Sequence, residues 1–221
     1  MMIALMIVSI GAIMYRAGTY YRYEQWEEYI TLTEHVKLNT IRLVEISLAN
    51  YTAPGNNSTS ILKDNLNQWQ NDLRKAYPGY GIILTYNLTD GTNINYSQGL
   101  ASHWNENASY SAANANFALN ITSVGLEGYR FMATAFLNLT ILNVDALSDV
   151  ITVAVTGEDG MPITDLKKGN FQVDGLDIKN VTSSYHETYI LVYTINCDGS
   201  IPAPVTVTVW DQRGIIVIAK S

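Results

Sequence analysis

The sequence predicts an α+β protein, a long N-terminal helix followed by a β-rich head. Three observations carry this. Residues 1–49 hold no proline, and their last glycine is Gly18. The stretch ANYTAPGNNSTS (49–60) then breaks the pattern with Pro54, Gly55 and a polar run. Beyond a second short helix, most apolar residues alternate with polar ones at the two-residue period of a strand.

The helix opens on MMIALMIVSIGAIMY, with Arg16 as the first charged side chain. Fifteen helical residues cover about 22 Å, short of the ~30 Å hydrocarbon core of a bilayer. Tyr20, Tyr21 and Tyr23 extend the span to about 23 residues, with Arg16 and Arg22 snorkelling or facing a partner. A cleaved signal needs a basic leader and a small-residue cleavage site. No basic leader is present, and Ala17-Gly18 is a poor version of the site. The expectation is a single-pass anchor in the cell membrane with the head outside the cytoplasm. Arg16 and Arg22 would lie on the outer side, against the usual charge bias. Trp26, Tyr29, Leu32, Val36 and Leu43 recur at helical spacing, with Ile41, Val44 and Leu48 continuing the apolar stripe.

A second helix is expected over 61–77, with Ser60 as N-cap and Leu62, Leu66, Trp69, Leu73 and Tyr77 on one face. YPGYG (77–81) ends it. Residues 80–86 read as a strand, turning at Asp90-Gly91 into a hairpin partner over 92–96. QGLASHWNENASYSAANA (98–115) shows no clear period and reads as a surface loop or weak helix. In 117–124, Phe117, Leu119 and Ile121 share a face. In 129–141, Tyr129 through Ile141 alternate inward, leaving Asn138 and Thr140 outward. Further strands are expected at 151–155, 170–173, 187–195, 205–210 and 214–219, separated by turns at Glu158-Asp159-Gly160, Cys197-Asp198-Gly199 and Asp211–Gly214. The organisation that follows is an anchor and extended helix over 1–50, a helix with antiparallel strands over 51–143, and a β domain over 144–221. The last is small for a sandwich and so is open to sharing a core with residues 80–143.

Composition narrows the address. Lys plus Arg is 13 against 20 acidic residues, for a net charge of -7, and no basic tract is available for nucleic acid. Charged residues make up 15%, against roughly 25% in an ordinary soluble domain. Twenty Asn and 15 Tyr fill the gap. N-x-S/T sequons occur at Asn50, Asn56, Asn57, Asn87, Asn95, Asn107, Asn120, Asn138 and Asn180, where composition alone gives about three. Their use requires a surface position and an extracytoplasmic address. The one cysteine, Cys197, cannot pair within the chain, and NCDGS reads as a turn carrying a spare thiol.

GEDGMPITDLKKGNFQV (157–173), followed by VTVTVWDQRGIIV (205–217), resembles the small immunoglobulin-like domains of prokaryotic surface proteins. That resemblance implies an immunoglobulin-like β-sandwich and a structural or adhesive module. The long helix carrying a β-rich head is similar to archaeal type IV pilin-like proteins, which implies a subunit able to polymerise. Here no prepilin leader precedes Met1, and the apolar stretch is shorter than a pilin spine usually is.

No catalytic constellation is legible. His35, His103 and His186 lie in separate elements without metal-ligand spacing. Glu158, Asp159 and Asp165 do not have the spacing of a calcium-binding loop. No catalytic residue, cofactor or metal is assigned. The expectation is a non-enzymatic envelope protein whose partners are the membrane, a surface glycan or protein ligand, and further copies of itself. RYEQWEE puts Arg22, Glu24, Glu27 and Glu28 on several helix faces. Burying them unpaired would cost several kcal/mol each, which favours anchoring as a monomer or small oligomer over a filament. An accessory subunit of an envelope complex is the other alternative, and a deep pocket at Trp104 or Trp210 with converging carboxylates would mark it. Exposed Tyr110 and Tyr185 are candidates for recognition.

Overall fold

In a computed structural model, the described residues are 2–56, 58–88, 94–186 and 190–221, with the side chains of 2–25, 186 and 190 outside the description. The chain divides into two compact units, Met1–Asn39 and Thr40–Ser221. Helix α1 runs over Met2–Thr52, three residues past the expected break. The anchor expected over 1–23 falls on side chains outside the description. Among the described residues no helix is long and apolar enough to cross a membrane. In the first unit Leu32 and Val36 are buried, whereas Trp26, Ile30 and Leu38 are exposed.

In the second unit, helix α2 (Ile61–Ala76) forms as its apolar spacing predicts, burying Leu62, Leu66 and Leu73. Ser60 does not cap it through its side chain. Its own backbone is already helical, and its hydroxyl donates to Asp64 instead. The last three turns of α1 bury Thr40, Ser47 and Thr52 among Val44 and Leu48. Each polar group has a partner. Trp69 Nε1 donates to Thr40 Oγ1 at 3.0 Å, and Asn65 Nδ2 to Ser47 Oγ at 2.9 Å. Such bonds fix register because a buried hydroxyl left alone is penalised by about 1–3 kcal/mol.

Ten strands follow, namely β1 (Ile82–Asn87), β2 (Leu100–His103), β3 (Ala108–Ile121), β4 (Leu126–Asp145), β5 (Val150–Thr156), β6 (Phe171–Val173), β7 (Asp177–His186), β8 (Ile190–Asp198), β9 (Thr206–Trp210) and β10 (Ile216–Lys220). They make two antiparallel sheets. The larger has the order β1-β3-β4-β5-β8-β7 with β2 also on β3, and the smaller is β10-β9-β6. Strands from both sides of residue 143 therefore belong to one sheet, so the two β regions share it.

Several expectations are corrected. Within 98–115, expected as a surface loop or weak helix, residues 100–103 are strand β2 and 108–115 the first half of β3, with only 98–99 and 104–107 as loop. The pairing of β1 is with β3, from Ile82↔Ile121 to Asn87↔Asn116, not with a hairpin strand at 92–96. Of that expected partner, residues 94–96 are bend and coil, while 89–93 lie outside the description, as do 187–189 of the expected 187–195 strand. Strand β7 went unread because DIKNVTSSYH lacks an apolar period. Cys197 lies in β8 rather than in a turn.

The inward face of the large sheet carries most of the buried side chains of the second unit's strands, among them Leu84, Leu119, Leu137, Val153 and Ile195. Gln70 Nε2 donates to the Leu84 carbonyl at 2.6 Å, setting α2 on β1. The small sheet lies beside the end of α1 and the start of β3. Ser111 Oγ donates to the Ile216 carbonyl at 2.6 Å, and Ile216 N–H donates to Thr52 Oγ1 at 3.1 Å. Phe171 and Tyr193 meet across the sheets with ring centroids 5.3 Å apart. The Tyr193 hydroxyl donates to the Ile163 carbonyl at 2.6 Å and accepts from Leu166 N–H at 3.4 Å. At Gly99 the backbone is left-handed, φ +80°, and an added Cβ would lie 2.8 Å from the Asn114 carbonyl oxygen and 2.9 Å from Leu62 Cδ2. Only glycine lets β2 turn in this closely beneath α2.

Cys197 is fully buried, and that burial pushes its thiol up, with Asp149 adding to the shift and Lys179 opposing it. Since the thiolate is the reactive form, the native protein should resist alkylation until denaturant exposes β8. Stoichiometric labelling of the folded chain, read by intact mass, would contradict this packing.

Candidate interaction surface

The strand period that sends Leu119, Leu137 and Val153 inward sends their neighbours to the opposite face of the large sheet. Among the described residues most of these outward positions are exposed or half-buried, with Ala112, Asn114, Ala154 and Val192 buried among them. Register lines amides and hydroxyls up in cross-strand rows, including Asn87↔Asn116, Asn138↔Thr156, Thr152↔Thr194 and Asn180↔Asn196. Arg130 is the one charged side chain among the outward positions of β1, of β3 and of β4 from 130 to 140. A polar face without charge is wetted by water, yet it loses little by exchanging that water for hydroxyl-rich partners.

Two features interrupt these rows. A hollow of about 540 Å³ lies where Ala118 leaves space between Thr85, Asn87, Asn116 and Arg130. An aromatic row crosses β2, β3 and β4. His103 and Tyr110 have centroids 5.6 Å apart and planes 26° apart, and Tyr110 and Phe136 are 5.9 Å and 25° apart. His103 is exposed, and the other two rings are half-buried.

The Phe136 end of the row is fixed from behind by charge. Strand β5 stops at Thr156, so Phe136 has no strand partner on that side. Instead its N–H donates to Glu158 Oε1 at 2.8 Å, and its carbonyl accepts from Arg213 Nη2 at 3.1 Å. Arg213 also pairs with Glu158 at 2.5 Å, with Asp211 at 2.7 Å and with Glu45 of α1 at 3.4 Å. Burial alone would raise the Glu158 carboxyl, but the Arg213 hydrogen bond and charge, with backbone N–H donors, hold it below the ordinary range. Burial would lower Arg213, and the Glu158 and Asp211 carboxylates outweigh that and keep it charged. One cation here ties three carboxylates and two backbone groups together, an arrangement of structure rather than of proton transfer.

The nine sequon asparagines are unevenly placed. Asn50, Asn87, Asn95, Asn107 and Asn180 are exposed; Asn56, Asn120 and Asn138 are half-buried; Asn57 lies outside the described residues. Asn87, Asn120, Asn138 and Asn180 all stand on the open face. Asn120 and Asn138 thus point away from the core, as their alternation predicts. Asn120 Oδ1 accepts the Gly128 N–H at 2.7 Å across the turn from β3 to β4.

The remaining candidates are dispersed. His35 is exposed on α1, and the His186 side chain lies outside the description. Glu158 is held by Arg213, Asp165 bonds the Gln212 amide, and Asp159 occupies a left-handed turn position. Trp104 donates to Ser111 Oγ at 3.0 Å and faces the core side. Trp210 lines a hollow of about 350 Å³ whose lining holds one carboxylate, Asp177, and one ammonium, Lys168. Converging carboxylates of the kind an accessory-subunit pocket calls for are not among these residues. Tyr185 is 72% exposed on the edge strand β7. The row of His103, Tyr110 and Phe136 was not legible while 98–115 was read as a loop. The spacing Phe136-x-Asn138-x-Thr140 is the part of the signal visible on one strand, and it places Phe136 on the outward face while His103 and Tyr110 join it only through register. Comparison with protein-family models, characterised proteins and solved structures finds no match for this chain.

Proposed function

We propose that this chain is a membrane-anchored extracytoplasmic protein of the cell envelope whose head is structural or adhesive rather than enzymatic. The observation that carries the reading is the open sheet face, uncharged over most of its extent and holding four of the nine sequon asparagines. Such a face suits contact with hydroxyl-rich surfaces and suits a carbohydrate coat. An immunoglobulin-like architecture for the C-terminal part is supported by strand order. The orders β4-β5-β8-β7 and β10-β9-β6 match the A-B-E-D and G-F-C sheets of a constant-type immunoglobulin sandwich, with the end of β4 serving as the first strand. The test is protease treatment of intact cells, which should shed everything beyond about residue 50. A protected C-terminal domain would overturn the topology.

A second reading is favoured by α1. Trp26, Ile30, Leu38 and Ile46 remain 49–62% exposed on it, and apolar residues exposed along one helix suit packing against further copies of the same helix. In this reading the chain is a subunit of a type IV pilus-like filament. Imaging of cells decides between the two: helical filaments built on residues 1–30 would replace the anchored reading, and discrete membrane particles would retain it.

A further inference from the structure

We infer that Asn138 is a glycan-bearing position whose first sugar ring packs against Tyr110 and Phe136, making the aromatic row a built-in platform for the protein's own carbohydrate. The inference rests on the reading of the head as an extracytoplasmic glycoprotein and identifies which sequon is structurally prepared. On an extended strand, residues two apart share a face, so Phe136, Asn138 and Thr140 stand side by side. Register places Tyr110 directly opposite Asn138, and Tyr110 in turn lies against Phe136 with centroids 5.9 Å apart. Asn138 is therefore bordered by one ring along its strand and another across it. The other sequon asparagines on this face have no such setting. Asn87 follows Thr85 and faces Asn116, Asn120 follows Ala118 and faces Ile83, and Asn180 faces Asn196.

The chemistry fits a pyranose. One side of such a ring presents axial C–H groups, which carry slight positive charge and complement the negative face of an aromatic ring. Covering the two half-buried rings also removes apolar surface from water. Asn138 Nδ2 now donates to Thr140 Oγ1 and Thr156 Oγ1, both at a long 3.3 Å. Substitution on that nitrogen removes one hydrogen and leaves the other for one hydroxyl. In the transfer, Asn138 Nδ2 attacks the anomeric carbon of a sugar activated as a lipid phosphate ester. An N–C bond forms, the C–O bond to phosphate breaks, the lipid phosphate leaves with the electron pair, and the amide gives up one proton.

The experiment compares full-length protein from its native cells with the same chain made in a host that does not glycosylate. Peptide-level mass spectrometry is expected to find Asn138 occupied. Phe136→Leu and Tyr110→Ala should then lower the melting temperature of the glycosylated protein by roughly 2–4 °C more than that of the bare protein. Asn138→Gln should remove that difference, and the bare protein reports any folding defect of the variants alone. An unmodified Asn138 in a protein modified at other sequons overturns this inference and leaves the envelope reading intact. No modification at any sequon overturns both. Equal losses with and without the glycan, or capture of a free oligosaccharide by the bare aromatic row, overturn the platform.

Discussion

Tyr193→Ala should lower the melting temperature of the head by roughly 6–20 °C. The side chain is among the largest that are fully buried, at 1% exposure, and it joins β8 to two other parts of the fold. Its ring meets Phe171 of the small sheet, and its hydroxyl bonds both the Ile163 carbonyl and the Leu166 N–H. Truncation leaves a cavity between the sheets and two polar backbone groups without a partner. Losses of about 3–5 kcal/mol are typical of large aromatic truncations, and each kcal/mol is worth roughly 2–4 °C in a chain of this size. Tyr193→Phe keeps the packing and removes only the hydroxyl, so about 1–2 kcal/mol is expected. Burial holds the phenol above its ordinary pKa of 10.0, with the Leu166 N–H opposing the shift. The stability it contributes is therefore complete below the unfolded value and lost as pH rises through the folded one. The phenylalanine variant should lack that alkaline component in thermal melts. Equal melting of the alanine and parent proteins would mean that the two sheets do not depend on this contact.

Arg213→Met is the second large effect, at about 3 kcal/mol and roughly 6–12 °C. Methionine roughly preserves volume but leaves Asp211, whose side chain is 4% exposed, as a buried carboxylate without its cation. It also frees the Phe136 carbonyl. Asp211 Oδ1 still accepts N–H groups from residues 213 and 215, each at 3.0 Å, so the turn itself should survive. The damage should then appear as lost stability rather than as a misfolded hairpin. Because the Glu158 carboxyl is held below its unfolded value of 4.5, its contribution is complete above that pH and is lost as pH falls through the folded value. Acid melts of the parent should show this loss and those of Glu158→Gln should not. A parent-like melting curve for Arg213→Met at neutral pH would remove the cluster from the stability argument.

How far the fold was legible follows from which residues carry it. Strand β4 could be read because its inward positions alternate from Tyr129 to Ile141, and α2 because its leucines recur at helical spacing. The first half of β3 could not. Its inward positions are Ser109, Ser111, Ala113 and Ala115, small residues of low strand propensity. They are small where β10 approaches closely, as the Ser111 bond to the Ile216 carbonyl shows, and pairing with β4 supplies the order that propensity does not. Side-chain size at these positions is a tertiary property, invisible to a local window. The candidate surface was partly legible. The outward direction of Asn120 and Asn138 followed from alternation. Their alignment with Asn87 and Asn180 depended on register across strands distant in sequence, and the aromatic row on the misread segment.

The bond from Ile216 N–H to Thr52 Oγ1 spans 164 residues, and the ion pair from Arg213 to Glu45 spans 168. Both reach the end of the first helix from the hairpin of β9 and β10. During synthesis, the helix end is made at least 164 residues before the residues that complete its environment. The small sheet likewise waits, since β9 and β10 supply two of its three strands. The head cannot close by successive addition of finished pieces from its N-terminus. Its closing step waits for β9 and β10, so a chain halted before β9 would hold both helices and every strand of the large sheet with their shared core still open.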